Sequence, residues 1–213
     1  LSKPCPESHP DRLWTAATLL GLQPTHPDRA RVLELGCATG GNLLPLAAAL
    51  PGADCVGLDL SVRQIEAAEA RRAAFGLNNL RFVALDLADV DASLGDFDYI
   101  LAHGVYSWVP AAVQARMLDV IRERLRPNGV AFVSYNAMPG WGLRGVVRDL
   151  MVWGGGDHPD AMARLRRARE VLELATRLSP SNSAFGLVLR EESSMLRKLP
   201  DSYVRHDFLA EQN

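Results

Sequence analysis

The stretch Val32-Leu-Glu-Leu-Gly-Cys-Ala-Thr-Gly-Gly-Asn42 decides the fold. Residues 31–35 read as a short buried strand, residues 36–41 as a glycine-bearing loop, and residues 42–50 as a helix. Strand, glycine turn and helix in that order open an α/β nucleotide-binding unit. Gly36 permits the sharp turn, and Gly40 lets a ligand approach the backbone closely near the N–H groups of the helix N-terminus. The spacing narrows the ligand. A dinucleotide fingerprint G-x-G-x-x-G needs glycine at position 38, where this chain has Ala38, so a pyrophosphate cofactor such as NAD is disfavoured.

Two carboxylates downstream fall in register with that loop. Asp59 ends the second predicted strand (residues 53–58), 23 positions after Gly36, where a carboxylate can accept both ribose hydroxyls. Asp86 follows the third strand (residues 80–84), where it can accept from an adenine amino group. Taken singly, Asp59 can be a helix cap and Asp86 a solvated loop residue. Three features aligned over three consecutive units make a shared ligand site the better reading.

Strands and helices alternate through residue 135. A helix over residues 9–20 starts at Ser8 or His9 with Pro10 and Asp11 in its first turn. Ser61-x-x-Gln64 predicts a capping box for a helix over residues 61–75. A fourth strand spans residues 97–102, a helix residues 110–125, and Pro127-Asn128-Gly129 turns the chain into a fifth strand at residues 130–135. The expected architecture is a doubly wound α/β Rossmann-like sheet of parallel strands, order 3-2-1-4-5, with the ligand crevice at the carboxyl ends of strands one and four. Strands six and seven are not found. Helices over residues 141–152, 159–178 and 184–199, interrupted by Gly154-Gly155-Gly156 and Ser179-Pro180-Ser181, form a C-terminal helical lobe. Met162, Leu165, Ala168, Leu172 and Ala175 share one predicted apolar face, and Phe185, Val188, Leu189, Leu196 and Leu199 another. The expected division is a core at 1–136 and a lobe at 137–213.

Composition excludes several classes. Among 213 residues, 48% are hydrophobic, enough for a substantial core. Mean hydropathy is near zero, and no apolar run approaches the roughly 20 residues of a membrane span. Residues 1–10 have neither a basic start nor an apolar stretch, so no signal peptide is expected. A net charge of −2 weighs against a nucleic-acid partner. Cys5, Cys37 and Cys55 show no metal-ligand spacing, which predicts no disulfide framework, no metal and a cytoplasmic setting. Cys37 reads as a packing residue. The Arg164, Arg166, Arg167 and Arg169 run reads as a solvated helix face.

Two segments border the reacting position. Ala102-His103-Gly104-Val105-Tyr106-Ser107-Trp108-Val109-Pro110 follows strand four, and Ser134-Tyr135-Asn136-Ala137-Met138-Pro139-Gly140-Trp141 follows strand five. Tyr106, Trp108, Tyr135, Asn136 and Trp141 are candidate walls of a substrate pocket, since aromatic faces suit sulfonium and amine groups. Packing anchors are an equal reading for both tryptophans. His103 is the titratable candidate, against a purely structural hydrogen-bonding role.

Residues 30–136 resemble the class I S-adenosylmethionine-dependent methyltransferases. More narrowly, His9-Pro-Asp-Arg-Leu13, His103-Gly-Val-Tyr-Ser-Trp-Val109 and Tyr135-Asn-Ala-Met-Pro-Gly-Trp141 resemble bacterial methyltransferases with a methyltransferase regulatory domain, a group that includes rickettsial protein-lysine methyltransferases acting on outer-membrane protein. The resemblance implies S-adenosylmethionine as cofactor, S-adenosylhomocysteine as product, and contacts at Glu34, Leu35, Gly36, Gly40, Asn42, Asp59, Leu60, Asp86, Leu87 and His103. It implies a protein lysine amine as the foremost acceptor; because a sulfonium methyl is already activated, in-line displacement without a metal is expected, with Tyr106 or His103 taking the proton through water. It also implies that residues 206–213 lead toward a regulatory region. A small-molecule or RNA methyltransferase, and a non-catalytic S-adenosylmethionine sensor, stand as alternatives. The sequence carries no reading of the oligomeric state.

Overall fold

The computed structural model describes residues 3–209, with the side chains at 202, 206 and 207 outside the description. The implied lead toward a regulatory region, residues 206–213, lies largely outside the described residues. Backbone contacts divide the chain into two compact units, the first running to Tyr135 and the second opening at Asn136.

The first unit begins with α1 (Pro10–Leu19), followed by β1 (Arg31–Leu35), α2 (Leu43–Ala49), β2 (Asp54–Asp59), α3 (Val62–Ala74), β3 (Leu80–Ala84), β4 (Phe97–Ala102), α4 (Ala111–Arg124) and β5 (Leu125–Val133). The sheet order is β3-β2-β1-β4-β5, and every pairing is parallel. Among the described residues no further strand follows β5.

Period-two alternation divides the sheet's apolar residues between two cores. Val32, Cys55, Tyr99 and Leu101 pack with α2 and α3 through Leu43, Leu46, Ala47, Ile65 and Ala68. Leu33, Leu35, Val56, Leu58, Ile100 and Ala102 pack with α4 through Met117 and Val120. Both faces are covered, so these strands read as nearly unbroken apolar runs. Glu34, alone among the charged residues of β1 in being buried, interrupts that pattern.

Asp98 ties the foot of β4 to its neighbours. It is buried and accepts from Thr25 Oγ1 (2.7 Å), Arg31 N (2.8 Å) and Arg126 Nη1 (3.0 Å). Residues 126–129 do not separate two elements. β5 starts at Leu125, opposite Phe97, and its register shifts before Val130 pairs with Tyr99. Asn128, in the left-handed region at φ 60°, lets the strand bulge and then resume.

Helix starts use a device beyond the expected one. Three His-Pro-Asp tripeptides share one turn, with the His Nδ1 accepting the Asp N–H in each: His9 (3.3 Å) and His26 (3.4 Å) cap helical turns, and at His158 (3.1 Å) it is Asp160 that caps the helix starting at Ala161. His9, not Ser8, is therefore the cap of α1. The capping box at Ser61 does not form, because that side chain makes no cap bond. Asp59 Oδ1 takes the Ser61 N–H instead, at 2.9 Å.

The second unit is helical: α5 (Gly140–Gly155), α6 (Ala161–Leu178), α7 (Ala184–Lys198) and a short α8 (Asp201–Val204). Its core includes Val147, Met151, Leu165, Ala168, Leu172, Leu189, Leu196 and Phe208. Gly154 and Gly155 do not break α5. A Cβ at Gly154 would meet Val171 at 2.7 Å and one at Gly155 would meet Arg164 at 2.9 Å, so both glycines let α6 approach closely. Helix α5 ends at Gly156, whose φ is 54°. The buried face of α7 is Gly186, Leu189, Ser193 and Leu196, which turns Phe185 outward. Met162, in the first turn of α6, is also exposed. Small residues set these faces as much as large ones do, which an apolar-only periodicity misses. Among the described residues, no helix is long and apolar enough to cross a membrane.

Candidate active site

The glycine loop hangs from β2 by its backbone. Gly36 N and Cys37 N both donate to Leu58 O, at 2.8 and 2.9 Å. Gly36 has φ +72°, and a Cβ there would run into Val105. Gly40 also has φ +72°, but a Cβ there would meet Phe82 Cζ at 2.5 Å. Its missing side chain therefore makes room for Phe82, not for an approaching ligand. Ala38, the residue that departs from the dinucleotide pattern, still adopts φ 49°. That conformation costs an L-residue roughly 1–2 kcal/mol, and Asp59 holds it by accepting Ala38 N–H on Oδ2 at 2.8 Å.

Asp59, half-buried at the end of β2, thus anchors two backbone N–H groups, one per oxygen. A carboxylate has about four acceptor positions, so each oxygen keeps one for a ligand hydroxyl. Leu60 beside it is 71% exposed, an apolar surface where a flat base can lie. Asp86 is exposed, and its Oδ1 caps the turn Leu87–Asp89 through Ala88 N at 2.9 Å. Arg116 Nε donates to Leu87 O at 3.1 Å and holds that turn against α4.

Glu34 is fully buried. Its Oε1 accepts from Asn42 Nδ2 at 2.8 Å, while Oε2 is buried without a hydrogen-bond partner among the described residues. Burial pushes its carboxyl up to about 7, and the Asn42 hydrogen bond opposes the rise. Asn42, expected at the cofactor, is instead engaged by protein. Nδ2 also donates to Ser8 Oγ at 3.2 Å, and Oδ1 accepts Cys5 N–H at 2.8 Å. Leu35 is fully buried in the sheet, leaving only its backbone for a ligand. Cys37 is buried, and burial, with Glu34 and Asp59 nearby, raises its thiol so that it stays neutral. It packs; it is not a nucleophile.

The loop after β4 is built around His103. Its Nδ1 lies 3.0 Å from Ser134 Oγ, which also accepts Gly104 N–H at 3.0 Å. When Nδ1 carries the proton it donates to Ser134, and Nε2 keeps a free lone pair. Burial lowers the imidazole's pKa, and the Glu7 charge partly restores it. The ring is therefore neutral at physiological pH. Tyr106–Trp108 forms a tight turn pinned by Gln114 Nε2, which donates to Tyr106 O at 2.8 Å and Val109 O at 3.2 Å. The Tyr106 and Tyr135 rings stand edge-on, 6.3 Å between centroids, with Tyr135 66% exposed.

Within the first unit the fold brings the glycine loop, Glu34, Asp59, Leu60, Asp86, Leu87, His103, Tyr106, Trp108 and Tyr135 to the carboxyl ends of the strands. Asn136 and Trp141 belong to the second unit. Ser134, Gln114 and the pair Cys5 and Ser8 were not expected to contribute. Ser134 opens a segment already singled out, but its hydroxyl's role depends on β4 and β5 being neighbours.

This sheet order, with a glycine turn after β1 and a carboxylate at the end of β2, is that of the doubly wound α/β domains, whose ligand crevice lies at the strand crossover. A methyltransferase-domain family model matches residues 33–131. The chain is 40% identical over its 213 residues to the uncharacterized protein RP789 of Rickettsia prowazekii, covering 38% of that protein. It is 37% identical over 207 residues to RP028 of the same organism, 97% of this chain and 83% of that protein. Among solved structures, PKMT2 from Rickettsia typhi in complex with AdoHcy superposes with a TM-score of 0.83 at 39% identity, over 97% of this chain and 39% of PKMT2. The chain therefore spans about two fifths of the length of RP789 and of PKMT2. It belongs to the class I S-adenosylmethionine-dependent methyltransferase family.

Proposed function

We propose that this domain transfers a methyl group from S-adenosylmethionine to a protein amine, with a lysine side chain as the acceptor. The observation that carries the acceptor is the Tyr106–Tyr135 pair in the segments after β4 and β5, the same segments in which Ser134 meets His103. The sequence resemblance to bacterial protein-lysine methyltransferases and the likeness to PKMT2 support the same reading. In this reading the first unit carries the cofactor, and the second, residues 136–212, joins the methyltransferase core to the regulatory region.

The residues present fit the cofactor. The buried, unpartnered Glu34 Oε2 calls for a donor such as an α-ammonium. The two remaining acceptor positions of Asp59 suit vicinal ribose hydroxyls, Leu60 and Leu87 offer apolar surface for the base, and Asp86 an acceptor for its amino group. The bound cofactor supplies a methyl already activated on sulfonium, so the protein's contribution is alignment and exclusion of water. A lysine ammonium, with a pKa of about 10.4 in water, must first lose a proton. Tyrosine rings attract the cation, and removal from water lowers its pKa. His103, oriented by Ser134 and neutral, accepts the proton on Nε2 through water, with the Tyr106 hydroxyl as relay.

The test is transfer of labelled methyl from S-adenosylmethionine into a host lysate fractionated into protein, RNA and small molecules. Label in lysine of a protein band, lost in Asp59→Ala, is expected. Label confined to RNA or small molecules refutes the acceptor but keeps the methyltransferase. Absence of label alongside tight cofactor binding refutes turnover by this domain alone.

A further inference from the structure

The N-terminal turn Pro6–Ser8 lies outside every repeating element, yet Ser8 is fully buried. Its hydroxyl donates to Cys5 O at 2.9 Å and accepts from Asn42 Nδ2. Cys5 N–H donates to Asn42 Oδ1. That bond settles the amide's orientation, because only its oxygen can accept from an N–H. Nδ2 must then face Ser8 and Glu34. The charge of Glu7, in the same turn, also raises the pKa of His103, after β4, against the lowering by burial.

We propose that the turn Pro6–Ser8 is a strap over the amino-acid end of the cofactor, and that Asn42 is the positioning residue that couples the strap to Glu34. Asn42 donates to one carboxylate oxygen and thereby leaves the other for a ligand. A hydrogen bond to the ionised form favours that form, so seating the strap keeps Glu34 ready for an ammonium group. The other titratable groups facing Glu34 are Cys37, after β1, and Cys55, on β2; burial keeps both thiols neutral. The inference rests on the reading that Glu34 receives the cofactor's α-ammonium.

Calorimetric titration of the protein with S-adenosylhomocysteine from pH 5.5 to 8.5 separates the two. Wild-type affinity is expected to rise with pH, with a midpoint about 7, where Glu34 ionises. Asn42→Ala removes a hydrogen bond to the charged form, which moves the midpoint up by about one pH unit and weakens binding about fivefold at pH 7. Ser8→Ala is expected to move it the same way by less, which tests the strap without touching Asn42 and carries the test if Asn42→Ala does not fold. An unmoved midpoint in either folded variant overturns the proposal, even if affinity falls at every pH. Wild-type affinity that ignores pH, or Glu34→Gln binding as wild type does, overturns the Glu34 reading itself.

Discussion

Replacing Glu34 by Gln should stabilise the ligand-free protein at alkaline pH. The carboxyl is fully buried, and burial raises its pKa from 4.5 to about 7. A carboxyl whose folded pKa is raised contributes stability that is complete below its unfolded value and is lost as pH climbs through the folded one. The loss thus accumulates between about pH 4.5 and 7 and is constant above. Each pH unit corresponds to about 1.4 kcal/mol, so ionising Glu34 costs the empty fold about 3 kcal/mol at pH 8. Most of that cost, about 2–3 kcal/mol, appears between pH 5 and pH 8. A glutamine keeps an oxygen for Asn42 Nδ2 and leaves an amide N–H₂ in place of Oε2, at a penalty that does not depend on pH. The informative quantity is therefore the variant-minus-wild-type stability at pH 8 minus the same difference at pH 5, measured by urea unfolding of ligand-free protein. A double difference near zero would refute the reasoning, because it would mean that Glu34 titrates alike in the folded and unfolded chain.

Other perturbations report on separate parts of the domain. Asp59→Ala removes the acceptor of Ala38 N–H and the acceptor proposed for the ribose; two lost hydrogen bonds to a charged group correspond to about 3 kcal/mol or more, so calorimetry with S-adenosylhomocysteine should show at least a hundredfold weaker binding. Asp98→Ala strands three donors at the foot of β4, one of them the part-exposed Arg126 guanidinium, and should cost about 2–3 kcal/mol of stability by chemical denaturation without changing the pH midpoint of ligand binding. Ser134→Ala frees the His103 ring; kcat should fall about tenfold or more while the affinity for S-adenosylhomocysteine holds within about twofold, and an unchanged kcat would remove His103 orientation from the mechanism. Tyr106→Phe with an unchanged rate would likewise remove that hydroxyl as proton relay.

The strand order was legible because it rests on local signals. Apolar runs of five or six residues, glycines at 36 and 40, and helices between them admit few topologies once right-handed crossovers are required. Asp59 was legible for the same reason: its place is set by distance along the chain from Gly36. Other features needed the folded chain. Gly40 reads in sequence as a ligand cradle, but Phe82 from β3 occupies the space beside it. Gly154 and Gly155 read as a break, but α6 packs against them and the helix continues.

By itself, the sequence determined that this is a doubly wound α/β domain of strand order 3-2-1-4-5, with a glycine turn after strand one and a carboxylate at the end of strand two. Periodicity and short-range spacing are properties of neighbouring residues, and they survive without coordinates. Only the tertiary structure decided that Glu34 is buried with one oxygen unsatisfied, that Asn42 links it to Cys5 and Ser8, and that Ser134 orients His103. Except for Asn42 and Glu34, eight positions apart, those contacts join residues 31 to 37 positions apart, and their strength comes from exclusion of water, a condition that exists only once the sheet and its covering segments have closed.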